Sequence, residues 1–274
     1  MINEIALPSP RQTFEDNMRP AHLLLQVYQL LDANDEIRTD GQMLSSLRTV
    51  VGAGRDEYLL LINHELFLGL VRERANLTPA QLRTSRLCNL LRQSVVASCT
   101  ALETYLPALL RVNLPLLIRA RGRESVPRGD LQITEQFKLL TFTLDEALRI
   151  MTEPNPEEFI SNQILSNISG SYLSGTRGIA VTGKLLGLTQ PWQEIGARLK
   201  RETKDLAKTV DTTVSRRNDI VHRGDRSQSD PSGEQQPIEF SWTQSAVHVI
   251  TDVCNALDEL VASQVSHLRE MMAE

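Results

Sequence analysis

The stretch SRRNDIVHRGD, Ser215–Asp225, concentrates three arginines, an asparagine, two aspartates and a histidine in one short run. An imidazole titrates near pH ~6.5, so it can take and return a proton at neutral pH. A guanidinium stays charged and offers a planar fork to phosphate oxygens. The pair suits acid–base chemistry at a phosphodiester, a reaction that requires no metal ligand or cofactor. Asn218 and His222 are spaced i, i+4 and share a helix face, whereas Arg217 and His222 stand about 140° apart around a helix of 3.6 residues per turn.

The element that must position these groups is a helix expected from Trp192 to His222. Ile195, Leu199, Leu206, Val210 and Val214 form its inner stripe. Steps of three and four from Val214 reach Arg217, Asn218, Val221 and His222. Polar groups placed against an apolar core are costly without partners. The pattern therefore predicts a polar cleft or a subunit interface over the last turns. A purely structural reading stays open beside it. Arginine and histidine near a helix C-terminus favour the dipole, and Asp219 can pair with Arg216 or Arg223 on the exposed face. Gly224 is placed to be the left-handed residue that stops the helix.

Around that helix the chain reads as all-α, a bundle of about eight helices. Hydrophobic residues make up 41% and aromatics 4% of the 274 residues, with leucine, alanine and valine prominent, a composition that leans to helix. Residues 1–18 read as an extended arm, followed by a helix from Arg19 to Asn34 that Pro20 helps to start. A short helix is expected over 42–50 and a further helix over 55–75, whose acidic start and basic end suit the helix dipole. A long one begins at Thr78-Pro79 and runs to about Leu110, with Leu87, Leu91, Val95, Cys99, Leu102, Leu106 and Leu109 as its stripe and Pro107 near its end. Residues 111–130 read as a short helix and a basic loop, 131–151 as helix, and Pro156 as the start of another. A broken polar segment at 166–178 precedes a helix over 179–187. GDRSQSDPSGEQQP (224–237) reads as a mobile loop, and Phe240 to Met271 as the last helix. The division expected is residues 1–79 as an arm and helical extension, and 80–274 as a helical domain that can pack with it as one unit.

The segment Arg217-Asn218-Asp219-Ile220-Val221-His222 resembles the R-x4-6-H signature of HEPN domains, in the form with asparagine after the arginine. SVVASCTALETYLPALL (94–110) is similar to the early helix of the RiboL-PSP-HEPN branch, and KLLGLTQPWQEI (184–195) to its lead-in to the motif helix. The resemblance covers roughly residues 80–265. It implies metal-independent cleavage of RNA, typically in a homodimer that brings two motifs to one cleft, by a toxin or an antiviral-defence ribonuclease restrained by an antitoxin or regulatory partner. By position, His222 would be general base or acid at the ribose 2′-hydroxyl, Arg217 would hold the scissile phosphate, and Asn218 would orient one of them. Asp219 is a supporting residue. Glu103 either faces the cleft and positions Arg217 or His222, or is a boundary glutamate with its head in solvent; Ser98 and Tyr105 are weaker candidates.

The other signals are less specific. Arg119, Arg121 and Arg123 lie in RARGRESVPR, which with Arg216 and Arg223 could track an RNA backbone, but no aromatic is interleaved for base stacking. Gly178–Leu185 imitates a phosphate-binding loop, yet Leu185 stands where a hydroxyl should bind magnesium and no strand precedes it. Cys88, Cys99 and Cys254 have no metal-ligand spacing and read as small hydrophobes. His22, His64, His248 and His267 are isolated in sequence. A net charge of −5 argues against wholesale coating of nucleic acid. With no export signal, no unbroken apolar run of membrane-spanning length and an odd number of cysteines, a cytoplasmic protein without a membrane anchor is expected. The alternative to an enzyme is a non-catalytic helical module that binds RNA, a nucleotide or a partner protein through the same helix face.

Overall fold

The computed structural model describes residues 9–32, 49, 59–64, 67–72, 84–122, 141–168 and 173–273. Among them are eight helices: α1 Pro10–Asp32, α2 Thr84–Arg121, α3 Leu144–Thr152, α4 Pro156–Ile168, α5 Gly175–Leu185, α6 Pro191–Leu199, α7 Thr203–Arg223 and α8 Phe240–Ala273. The architecture is an all-α bundle. Its axis is α2, whose entire expected stripe from Leu87 to Leu109 is buried. Pro107 and Pro115 both lie inside α2, which runs on to Arg121. Each proline removes one backbone donor, and packing on several sides holds the helix through both.

The first departure from the sequence expectation is at the N-terminus. Residues 10–18 are helix, not arm: Ser9 Oγ accepts the Gln12 amide at 3.1 Å and Pro10 opens the first turn. Phe14 and Met18 enter the core, and Phe14 packs on Tyr105 of α2 with ring centroids 5.2 Å apart. Pro20 is interior to the helix and exposed, on a side where water can take over the carbonyl it leaves unpaired. Thus α1 shares one core with α2 and α8, to which Tyr28 adds a stacked contact with Phe240 at 5.7 Å.

The second departure is a β-hairpin where a helix was expected over 55–75. Strand β1, Leu59–His64, pairs antiparallel with β2, Phe67–Arg72, in a register running from Leu59 opposite Arg72 to His64 opposite Phe67. The acidic start and basic end of this segment mimic helix-dipole preferences, but a short apolar run suits either structure. The expected helix over 42–50 apart from residue 49, the basic loop after Gly122 with Arg123, the start of a helix at 78–83 and helix over 131–140 fall outside the described residues.

The third departure splits the motif helix in two. α6 stops at Lys200, which adopts a left-handed conformation (φ 53°), and α7 starts at Thr203. The Arg201 amide returns to the Gly196 carbonyl at 3.0 Å, and Gly196 lies so close to Thr203 that a β-carbon there would stand 2.6 Å from its hydroxyl. Neither Lys200 nor its neighbours carry a turn signal, so the break is a product of packing. One further point concerns α2: its segment Leu87–Arg121 is long and apolar enough to cross a membrane by length and composition, although it has no unbroken apolar run. Half of its most apolar window is buried within the bundle, as in a central core helix.

Candidate functional site

α7 presents three distinct faces. Leu206, Val210, Thr213 and Ile220 are buried against the bundle. At the edge of that face Arg217 turns inward and forms an ion pair with Glu103 of α2; their side chains are 18% and 31% exposed. Glu103 therefore faces the motif and is not a solvent-facing boundary residue. Cys99 lies one turn earlier on α2. Burial pushes its thiol up to about 11, against the pull of the Arg217 charge and hydrogen bond. Arg217 Nε is buried and has no hydrogen-bond partner among the described residues.

Continuing around the helix from Arg217 come Val221, Asn218 and then His222, an arc of about 140°. Val221 is 52% exposed, and Asn218 and His222 are exposed as well. His222 makes no hydrogen bond or ion pair with any described residue. Asp219 pairs with Arg223 one turn on, as the structural reading had it. The polar residues of the motif are thus not buried. They form one continuous accessible strip whose inner edge is the tethered guanidinium and whose outer edge is the free imidazole.

No protein-family model, curated protein or solved structure matches the chain.

The helix end itself is fixed by residues the sequence reading did not single out. Gly224 takes the left-handed stop position (φ 59°) as expected. Asp225 follows, fully buried and also at positive φ (65°). Its carboxylate accepts Arg92 Nε of α2 at 2.6 Å and Arg216 Nη2 of α7 at 2.9 Å, while Arg216 Nε stands 2.6 Å from its second oxygen. Arg216 is therefore committed to an internal ion pair. The segment 224–237 is anchored rather than loose: the Gln236 amide donates to the Asp225 carbonyl at 2.8 Å, and Arg92 and Arg216 both donate to the Gln236 carbonyl, at 2.9 and 3.1 Å. Nothing in residue type or periodicity signals that Arg92 and Asp225, 133 residues apart, meet.

A groove of about 660 Å³ runs along the third face of α7. Asp211, Ser215, Arg216 and Asp219 line one wall, and Glu239 and Trp242 the other. It lies beside the strip that bears His222 without including Arg217 or His222. Other sequence candidates separate from the motif. Arg119 pairs with Glu157 at 3.6 Å, and the Arg121 guanidinium lies against Gly187. Tyr105 donates to the Cys254 carbonyl and to Asp258, and burial raises its pKa. Ser98 bonds its own helix at Val95. Among the described residues no group of three or more histidine, cysteine, aspartate or glutamate side chains is placed to hold a metal ion. One pairing escaped the sequence reading: His22 of α1 and His248 of α8 face one another with ring centroids 6.4 Å apart.

Proposed function

We propose that the chain is an endoribonuclease of HEPN type that cleaves RNA without a metal ion. The observation that carries the reading is the strip on α7: a guanidinium held in place by Glu103, an unpaired imidazole, and only the accessible Val221 and Asn218 between them. The Arg217 guanidinium stays partly exposed at the edge of the strip, where a planar fork suits phosphate oxygens.

In this reading His222 takes the proton from a ribose 2′-hydroxyl. The oxygen attacks the adjacent phosphorus, and the bond from phosphorus to the 5′-oxygen breaks. An imidazolium returns a proton to that leaving oxygen. Arg217 stabilises the added negative charge on the phosphoryl oxygens, and Asn218 orients the imidazole or the phosphate. The products are a 2′,3′-cyclic phosphate and a 5′-hydroxyl. A homodimer in which two such strips face a shared cleft belongs to the same proposal, as the resemblance implies. A role as a toxin or defence nuclease restrained by a partner is part of the same proposal, by resemblance.

The test is incubation of purified protein with single-stranded RNA in excess chelator. Cleavage with cyclic-phosphate termini, lost in His222→Ala, supports the assignment; undiminished cleavage by that variant sinks it. A second reading draws on the groove, which has binding-site dimensions and bypasses Arg217 and His222. There the protein is a helical module that binds RNA, a nucleotide or a partner protein. Tight binding without turnover, unchanged in His222→Ala, would favour it.

A further inference from the structure

We infer that Asp225 is a positioning residue for the histidine end of α7: its buried carboxylate, rather than the helix alone, sets where His222 stands. The catalytic consequence rests on the reading of His222 just proposed; the positioning itself does not.

Helix ends fray, and a last turn carrying an exposed histidine would ordinarily be the loosest part of α7. Here the chain dives into the core three residues after His222. One carboxylate joins Arg92 of α2 and Arg216 of α7, and both arginines grip the carbonyl of Gln236 in the extended run before α8. Arg216 adds the Pro237 carbonyl at 2.9 Å. The Asp225 amide returns to the Asp219 carbonyl at 2.9 Å, so the backbone between them, which includes His222, is closed at both ends.

Two features set this apart from an ordinary helix stop. A stop of this kind needs only Gly224, yet Asp225 too is held at positive φ, a conformation uncommon outside glycine. And two guanidiniums converge on one carboxylate with almost no exposure of Arg92 or Asp225. Removing the negative charge leaves Arg92 buried without its counter-ion and detaches the last turn of α7 from α2. Arg217 is secured separately, by Glu103. The strip is therefore defined by two independent tethers to α2, one for the guanidinium and one for the imidazole.

The experiment compares Asp225→Asn and the milder Arg92→Lys, which keeps the charge but loses the fork, with the unaltered chain. Amide hydrogen exchange is expected to quicken by roughly tenfold or more over 220–225 while the amides of 206–214 keep their protection. The His222 C2 proton resonance is expected to shift or broaden. RNA cleavage is expected to lose roughly 10–100-fold in kcat with KM little changed, as misplacement of a bound catalytic group would give. Unchanged exchange and an unchanged resonance in both variants overturn the inference, as does a kcat equal to that of the unaltered chain despite faster exchange. Should Asp225→Asn not fold, Arg92→Lys decides by the same measures. If the unaltered chain cuts no RNA, the ribonuclease reading fails, and the exchange and resonance measurements still decide the positioning.

Discussion

Arg216 and Arg217 are neighbours in sequence and serve opposite regions of the molecule. Arg216 turns into a closed knot with Asp225 and Arg92, where its charge and most of its donors are used up. Arg217 turns the other way to Glu103, at the edge of an accessible strip. The knot is a set of opposite charges closed off inside the bundle. The strip instead leaves a tethered cation and an exposed imidazole on an accessible surface. A helix rotates by about 100° per residue, so two adjacent arginines can face different parts of the molecule.

The sharpest way to break this contrast is to remove one group from each region. Asp225→Ala leaves buried arginines without their counter-ion and is expected to cost about 3–5 kcal/mol of stability by chemical denaturation. His222→Ala should leave stability within about 0.5 kcal/mol, as for an exposed site, while lowering RNA cleavage about 10²–10⁴-fold. If the two variants behaved alike in both assays, the division between knot and strip would be wrong.

A smaller effect is expected at the stop between the regions. Gly224→Ala forces a β-carbon into a left-handed backbone and should cost about 1–2 kcal/mol in a melt. Glu103→Gln tests the tether of the strip. The Glu103–Arg217 pair is partly exposed, so the stability change should stay under about 1 kcal/mol. Its larger consequence should be on cleavage, because the guanidinium loses its anchor.

The smallest expected effect lies away from both regions. Burial and the facing His248 lower the pKa of His22 below its ordinary 6.5. The unfolded chain therefore takes up this proton first, and acid favours unfolding. This contribution should begin to erode stability as pH falls through 6.5 and level off once below the lowered folded value. His22→Gln should flatten that slope in denaturation curves, and an unchanged slope would remove the His22–His248 contact as its cause.

The amino-acid sequence by itself determined the all-α class, the buried stripe of α2, the start of α4 at Pro156, the Gly224 stop and the composition of the Arg217–His222 segment. These are local matters: a repeat of 3.6 residues, a proline in a first turn, a glycine beyond a last one. Tertiary structure decided the rest. It chose paired strands over a helix for 59–64 and 67–72, whose short apolar runs fit both, broke the motif helix at Lys200 without any turn residue, and carried Pro20 through the middle of α1. It also resolved whether Glu103 faces Arg217 and brought Arg92 to Asp225. Each of those outcomes depends on which distant segment supplies the packing or the opposite charge, and no window of the sequence contains both partners.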